Sequence, residues 1–224
     1  MNLVPVPDVI PIFPLPKTVL LPGEVLPLHV FEPRYRQMVR DALDSHGIIG
    51  MVQILPGHER EQPFDPPVHD VGCAGVIARH REMEDGRFLI WLIGVERFRI
   101  TGELQTLTQY RVVSIAHEGS PEQEPDPGLG EQRLHLLASL TAYMDGKVEG
   151  GEVVVNDLAR QLAQVGDEPL AAATAQIMGL MGERKQQLLE ASGLEERFRV
   201  LQEELDLAVA GAGRLIEFKP KFLH

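Results

Sequence analysis

The chain has 224 residues, 44% hydrophobic and 24% charged, with 21 Lys and Arg against 33 Asp and Glu for a formal net charge of −12. That composition excludes wholesale disorder, the length suits one large domain or two small ones, and the charge argues against a general binder of nucleic acid or anionic membrane. No apolar run approaches the roughly 18–20 residues that cross a bilayer, the N-terminal MNLVPVPDVIPIF lacks the basic and apolar regions of a secretory signal, and the single Cys73 excludes an internal disulfide, so a soluble cytoplasmic protein is expected.

The first half reads as short strands. Val9 to Phe13 is an apolar run closed by Pro14 and Pro16, and Val25 to Val30 follows the turn Leu21-Pro22-Gly23. Prolines 5, 7, 11, 14, 16 and 27 each remove a ladder donor, which predicts edge or bulged strands here. In FEPRYRQMVRDALD, Pro33 suits a first helical turn, Tyr35, Met38, Val39, Ala42 and Leu43 share one face, and Gly47 ends the helix. Ile48 to Leu55 reads as a strand. VGCAGVIARHREMEDGRFLIWLIG reads as a hairpin whose Asp85-Gly86 pair supplies the positive φ of a tight turn. Arg97 to Leu104 and Tyr110 to His117 read as two further strands. Short strands with one early helix predict a small closed or partly closed β-barrel.

The stretch EGSPEQEPDPGLGE carries three prolines, five acids and no basic residue. It cannot bury enough surface to offset its chain entropy, which makes it an exposed acidic, Pro-rich linker. The organisation predicted is a β-barrel subdomain over residues 1–117, a linker over 118–131, a helical bundle over 132–210 and a tail over 211–224. In the bundle, Gln132 to Tyr143 sets Leu134, Leu137, Ala138 and Leu140 on one side. Asn156 caps a helix from Asp157 to Val165, and Pro169 opens another that ends near Gly179 or Gly182. Glu183 to Ala191 forms a fourth, and Leu194 to Ala208 a fifth.

IPIFPLPKTVLLPGEVLPLHVFEPRYRQMV (10–39), GIIGMV (47–52) and VGCAGVIARHREMEDGRFLIWLIGVERFRI (71–100), in that order, resemble the N-terminal substrate-binding domain of Lon proteases. KQQLLEASGLEERFRVLQEEL (185–205) is similar to that domain's closing helices. The resemblance spans about residues 8–208. It implies an α+β fold, a PUA-like pseudo-barrel followed by a helical bundle, and a module that meets substrate polypeptide before an attached ATPase and peptidase act. Cereblon carries a related domain in a ubiquitin-ligase receptor. Full Lon proteases continue into both catalytic parts, and this chain is expected to be a stand-alone member without them. GLMGERKQ (179–186) misplaces the lysine of a P-loop and has no Ser or Thr after it. Ser45, Ser114, Ser120, Ser139 and Ser192 lack the setting of a serine–lysine dyad.

Other chemistry is weakly supported. His58-Glu59-Arg60-Glu61 lacks the second histidine of a zincin. His69, Asp70 and Cys73 are close in sequence, but 69 and 70 point to opposite faces of a strand, and Cys73 reads as a small core residue. Glu82, Glu84 and Asp85 read as a solvated turn. Arg79, Arg81, Arg87, Arg97 and Arg99 make the hairpin locally basic, yet the net charge of −12 and 5% aromatic content oppose RNA binding. No metal and no cofactor are expected.

The candidate peptide-binding residues are His29, Phe31, Arg34, Tyr35, Trp91 and Arg97. Most also have a structural reading: His29 can be a satisfied, partly buried histidine, Phe31 and Tyr35 can staple the helix to the barrel, Glu32 can pair with Arg36, and Trp91 can plug the core. The function expected is non-catalytic binding of unfolded or partner polypeptide, in a groove of the barrel or between barrel and bundle. Edge strands would accept an extended segment, and the protein would serve as an adaptor in quality control with a separate protease or chaperone. The alternatives are a peptidase or other hydrolase, and a PUA-like RNA or small-molecule binder. The oligomeric state is left open.

Overall fold

Alternating apolar residues build the strands of a computed structural model that describes residues 5–58, 65–118, 127–145, 147 and 151–210. In chain order the described elements are β1 (Val9–Leu15), β2 (Val25–Val30), α1 (Pro33–Leu43), β3 (Ile48–Gln53), β4 (Val71–Glu82), β5 (Phe88–Glu103) and β6 (Val112–His117). Five helices follow: α2 (Pro127–Met144), α3 (Gly151–Gln164), α4 (Asp167–Ile177), α5 (Glu183–Glu190) and α6 (Leu194–Ala210). The fold is the expected α+β. Among these residues no helix is long and apolar enough to cross a membrane.

The strands form one sheet in the order β2-β5-β4-β3-β1-β6, and a further β5–β6 pairing closes five of them into a circuit. β2 lies outside that circuit and pairs only with β5 among the described residues. One strand serves three neighbours because β5 is 16 residues long and bends. Its register against β4 shifts between Ala74 and Gly75, and against β6 between Ile100 and Gly102; such bulges bend a strand and raise its twist. The separate strand expected from Arg97 is therefore the second half of β5. Gly94 sits at the bend because Leu21 O lies 2.2 Å from where a Cβ would stand. The barrel core is Ile10, Ile12, Ile48, Val52, Ala74, Phe98, Val113 and Ile115.

The prolines of β1 correct one expectation. β1 is not an edge strand, since it lies between β3 and β6. Val9–Pro11 pair with β6 and Ile12–Leu15 with β3. Ile12 N–H donates to Arg111 O, and Leu15 O accepts from Ile54 N–H. Alternation then turns the nitrogen of Pro11 toward β3 before that pairing starts, and that of Pro14 toward β6 after that pairing has ended. Neither ring removes a ladder bond.

Contacts divide the chain into two units. The first holds the described residues up to 118 together with Met181–Leu189; the second holds the described residues of 127–180 and 190–210. The first therefore takes in a piece of sequence that the predicted boundaries assign to the bundle. Its reason is polar. On α5, Lys185 and Gln186 are 8% and 2% exposed. Lys185 Nζ lies 2.5 Å from Glu24 Oε1, and Gln186 Nε2 donates to Val71 O at 3.0 Å. Leu188 and Leu189 are buried beside them in the chain. Of the predicted linker, residues 127–131 open α2 and 119–126 lie outside the described residues, as does the tail 211–224.

In the second unit the helices bury Leu136, Leu140, Val155, Leu162, Leu170, Phe198, Leu201 and Leu205. Arg133 bonds Asp167 and donates to Val165 O, at the end of α3. Two expectations are corrected. α2 buries Leu136, Leu140, Tyr143 and Met144, whereas Leu134 is 70% exposed; the run LHLLASLTAYM offers two stripes, and the one with the larger side chains is inside. Asn156 is an exposed residue within α3 rather than a cap, because Val155, Leu158 and Leu162 continue one helical face through it.

Candidate functional site

β2, the first half of β5 and the outer part of β4 form a three-stranded arm with two unlike faces. Inward-facing Leu26, Leu28, Val30, Phe88, Ile90 and Leu92 are all buried. The register sets Val25 opposite Ile93 and Val76, Pro27 opposite Trp91 and Arg79, and His29 opposite Leu89 and Arg81. These residues share the other face. Ile93, Trp91, Leu89 and His29 are half-buried there, and Pro27, Arg79 and Arg81 are exposed. Val25 is 47% exposed, and Phe31, just beyond β2, is 52% exposed with its ring 6.1 Å from that of His29. Three of the six predicted residues, His29, Phe31 and Trp91, thus come together.

The edge of β2 adjoins this face. Gly94 N–H donates to Glu24 O at 2.9 Å, so the even residues of β2 bond β5 and the odd ones turn their backbone outward. Pro27 is odd and has no N–H to offer. That is the position a proline tolerates on an edge, and it removes the middle donor from any strand added there.

The other three predicted residues are placed elsewhere. Tyr35 is 4% exposed and packs on Phe13, ring centroids 4.3 Å apart. Burial pushes its phenol up to about 12. Arg34 stacks 4.4 Å over that ring and donates to Glu32. These two staple α1 to the barrel. Arg97 is 7% exposed and donates to Leu189 O at 3.0 Å, which makes it a tie within the first unit.

The basic hairpin residues sort in the same way. Arg87 pairs with Asp85 and Arg99 with Glu118. Arg79 and Arg81 have no carboxylate partner among the described residues, and both stand on the outer face. Val25, Pro27, Leu89 and Ile93 were not singled out from the sequence, although they have the same parity as His29 and Trp91.

An open groove of about 620 Å3 lies between α1 and the 104–110 loop, lined by Pro33, Arg36, Gln37, Arg40, Leu107, Thr108 and Gln109. Tyr110 pins that loop by donating to Asp41 at 2.7 Å. Its phenol is pushed up, chiefly by burial and then by this carboxylate. Nothing in the groove resembles an activated nucleophile. Among the described serines, Ser45 bonds the Asp41 and Ala42 carbonyls, Ser114 bonds Thr101 and Gly102 O, Ser139 bonds Gln202, and Ser192 bonds Glu196. None is bonded to lysine or histidine. Cys73 is wholly buried while Asp70 is exposed, and no metal-holding cluster of His, Cys, Asp and Glu occurs among the described residues. Residues 59–61, which follow His58 in the sequence, lie outside them.

Comparison with known proteins gives one answer. Residues 9–206 match the family model of the ATP-dependent protease La (LON) substrate-binding domain. A Lon protease of Flavobacterium johnsoniae is 30% identical in a match over 213 residues that covers 88% of this chain and 24% of that protein. One from Dictyoglomus thermophilum is 27% identical over 198 residues, 87% of this chain and 24% of the relative. The chain thus spans about a quarter of the length of these relatives. Among solved structures, the N-terminal domain of Mycobacterium avium complex Lon protease superposes with a TM-score of 0.69 at 20% identity, covering 88% of this chain and 98% of that one. A Lon N-terminal domain protein from Xanthomonas campestris gives 0.60 at 22% identity, covering 87% and 97%.

Proposed function

The chain belongs to the ATP-dependent protease La (LON) substrate-binding domain family, and on that premise we propose that it is a non-catalytic polypeptide-binding module whose site is the outer face of the β2–β5–β4 arm. One observation carries the reading. A strand face that could have been polar holds Trp91, Ile93, Leu89, Pro27 and Val25, with Phe31 beside it, all reachable by solvent. Partly exposed aromatic and aliphatic side chains set together are what an apolar segment of another chain packs against.

Side-chain packing on the face carries recognition, because the adjoining β2 edge lacks its middle donor at Pro27. A segment ordered on binding gives up chain entropy, so affinity is about micromolar or weaker. The module presents what it holds to a separate protease or chaperone, as an adaptor in protein quality control. The described serines, each bonded to a backbone carbonyl or to a polar partner other than lysine or histidine, support a role without hydrolysis.

Trp91 is the only tryptophan in the chain and stands in the proposed site. Titration with a permanently unfolded, labelled polypeptide is expected to shift Trp91 emission to the blue and raise the label's anisotropy with one saturation curve. Phe31→Ser with Val25→Ser, both about half exposed and so tolerated by the fold, is expected to weaken binding about tenfold. A flat titration to about 100 μM with the protein folded, or turnover of the polypeptide, removes the proposal.

A further inference from the structure

The face is not uniformly apolar. Two of its rows run from β2, across an apolar residue on β5, to an arginine on β4: Pro27–Trp91–Arg79 and His29–Leu89–Arg81. Neighbouring strands are about 4.8 Å apart, so each guanidinium sits within side-chain reach of the apolar strip. Arg79 and Arg81 are exposed and have no carboxylate partner among the described residues. Of the acids nearest in sequence, Glu84 is exposed at the hairpin turn, and Glu82 and Asp85 are engaged. Glu82 has the opposite parity and pairs with Arg40 at 2.7 Å. Asp85 pairs with Arg87, whose backbone N–H, ahead of its side chain, holds the carboxyl below its ordinary range. In a chain of net charge −12, two arginines that border an apolar strip and have no carboxylate partner among the described residues form a local reversal of sign.

Resting on the reading above, we propose that this face selects acidic–apolar segments: stretches in which an aromatic or aliphatic cluster is flanked by Asp or Glu. The apolar cluster packs on Trp91, Pro27 and Leu89 while the flanking carboxylates pair with Arg79 and Arg81. The two charges add selectivity and a faster encounter more than raw affinity, since exposed pairs are individually weak. Segments flanked by Lys or Arg meet like charge at the same border and are disfavoured. The protein's own acidic surface does not help a basic client reach this strip, because the strip's local sign is opposite.

Three labelled peptides of equal length and one apolar core, flanked by Glu, Gln or Lys, test this on the intact chain through Trp91 emission and anisotropy. Order Glu > Gln > Lys is expected, with about three- to tenfold between the first two at low salt and the gap closing at about 0.5 M salt. Arg79→Glu with Arg81→Glu is expected to reverse the order; Arg79→Gln with Arg81→Gln is expected to flatten it. Equal binding of all three by the native chain, with Trp91 shifting, overturns the selectivity while the polypeptide-binding reading stands. No binding of any peptide overturns both.

Discussion

Replacing Lys185 by Met tests whether α5 belongs to the barrel. Lys185 and Glu24 have 10% and 5% of their side chains exposed. The substitution leaves the Glu24 carboxylate buried without its cation, which costs about 3–5 kcal/mol when one partner of a buried pair is removed. Glu24 keeps one bond, from Leu21 N–H at 3.0 Å, which sets the expectation near the lower limit, about 3 kcal/mol. Replacing both as Glu24→Gln with Lys185→Met removes the two charges together. The amide oxygen still accepts from Leu21, and the thioether fills the lysine's path, so the loss falls to about 1 kcal/mol. The double variant is therefore expected to recover about 2 kcal/mol of the loss caused by Lys185→Met alone. Urea unfolding followed by Trp91 emission reads the first unit alone, which matters because two units need not unfold together. A Lys185→Met midpoint unchanged in that signal, or a double variant no better than the single, refutes the argument that the ion pair holds 181–189 to the sheet.

Two further outcomes follow from packing and from charge. Gly72→Ala places a Cβ 2.6 Å from Met51 O, 2.6 Å from Phe98 Cζ and 2.8 Å from Val52 Cγ1; backbone cannot give way, so a loss of about 3 kcal/mol is expected in the same assay, and an unshifted midpoint contradicts it. His117 bridges Asp8 and Glu96 at 3.0 and 3.1 Å, and the Asp8 hydrogen bond, with Glu96 in support, raises its pKa. A raised histidine stabilises the fold fully below its ordinary value of about 6.5, and that contribution disappears as pH climbs through the folded-state value. The imidazole resonance of His117 is expected to titrate at lower pH in Asp8→Asn; identical titration in both proteins shows that the bridge does not form.

Much of the fold was legible because local signals and tertiary demands agree. Val25 to Val30 is a strand with the predicted ends. Gly86, at φ 78°, makes the hairpin turn that Asp85-Gly86 announces. Pro33 opens α1, which buries Tyr35, Met38, Val39 and Ala42 as their spacing predicts. The misreadings arise where two answers satisfy the same local rule. A proline forbids a bond on one side of a strand only, so β1 can lie inside the sheet if each ring faces a side where pairing has stopped. Leu134 and Leu136 both fit apolar stripes on α2, and only the packed neighbours choose between them. α5 reads as a polar helix, ERKQQLLE, and Lys185 and Gln186 look like solvent residues until Glu24 and Val71, more than a hundred positions away, supply partners.

The candidate site was half legible for a related reason. Period two assigns His29 and Trp91 to one side of their strands, and it assigns Val25, Pro27, Leu89 and Ile93 to that side as well. It does not say which side is covered. On β5 both sides are apolar, since Phe88, Ile90 and Leu92 alternate with Leu89, Trp91 and Ile93, the pattern of a strand buried on both faces. Only one set is buried by this chain among the described residues. The flanking arginines break the symmetry: Arg79 and Arg81 fall in register with Trp91 and Leu89, and a charged border is what keeps an exposed apolar strip from pairing with its own copies. On the proposal above, the same two charges favour a segment bringing carboxylates of its own.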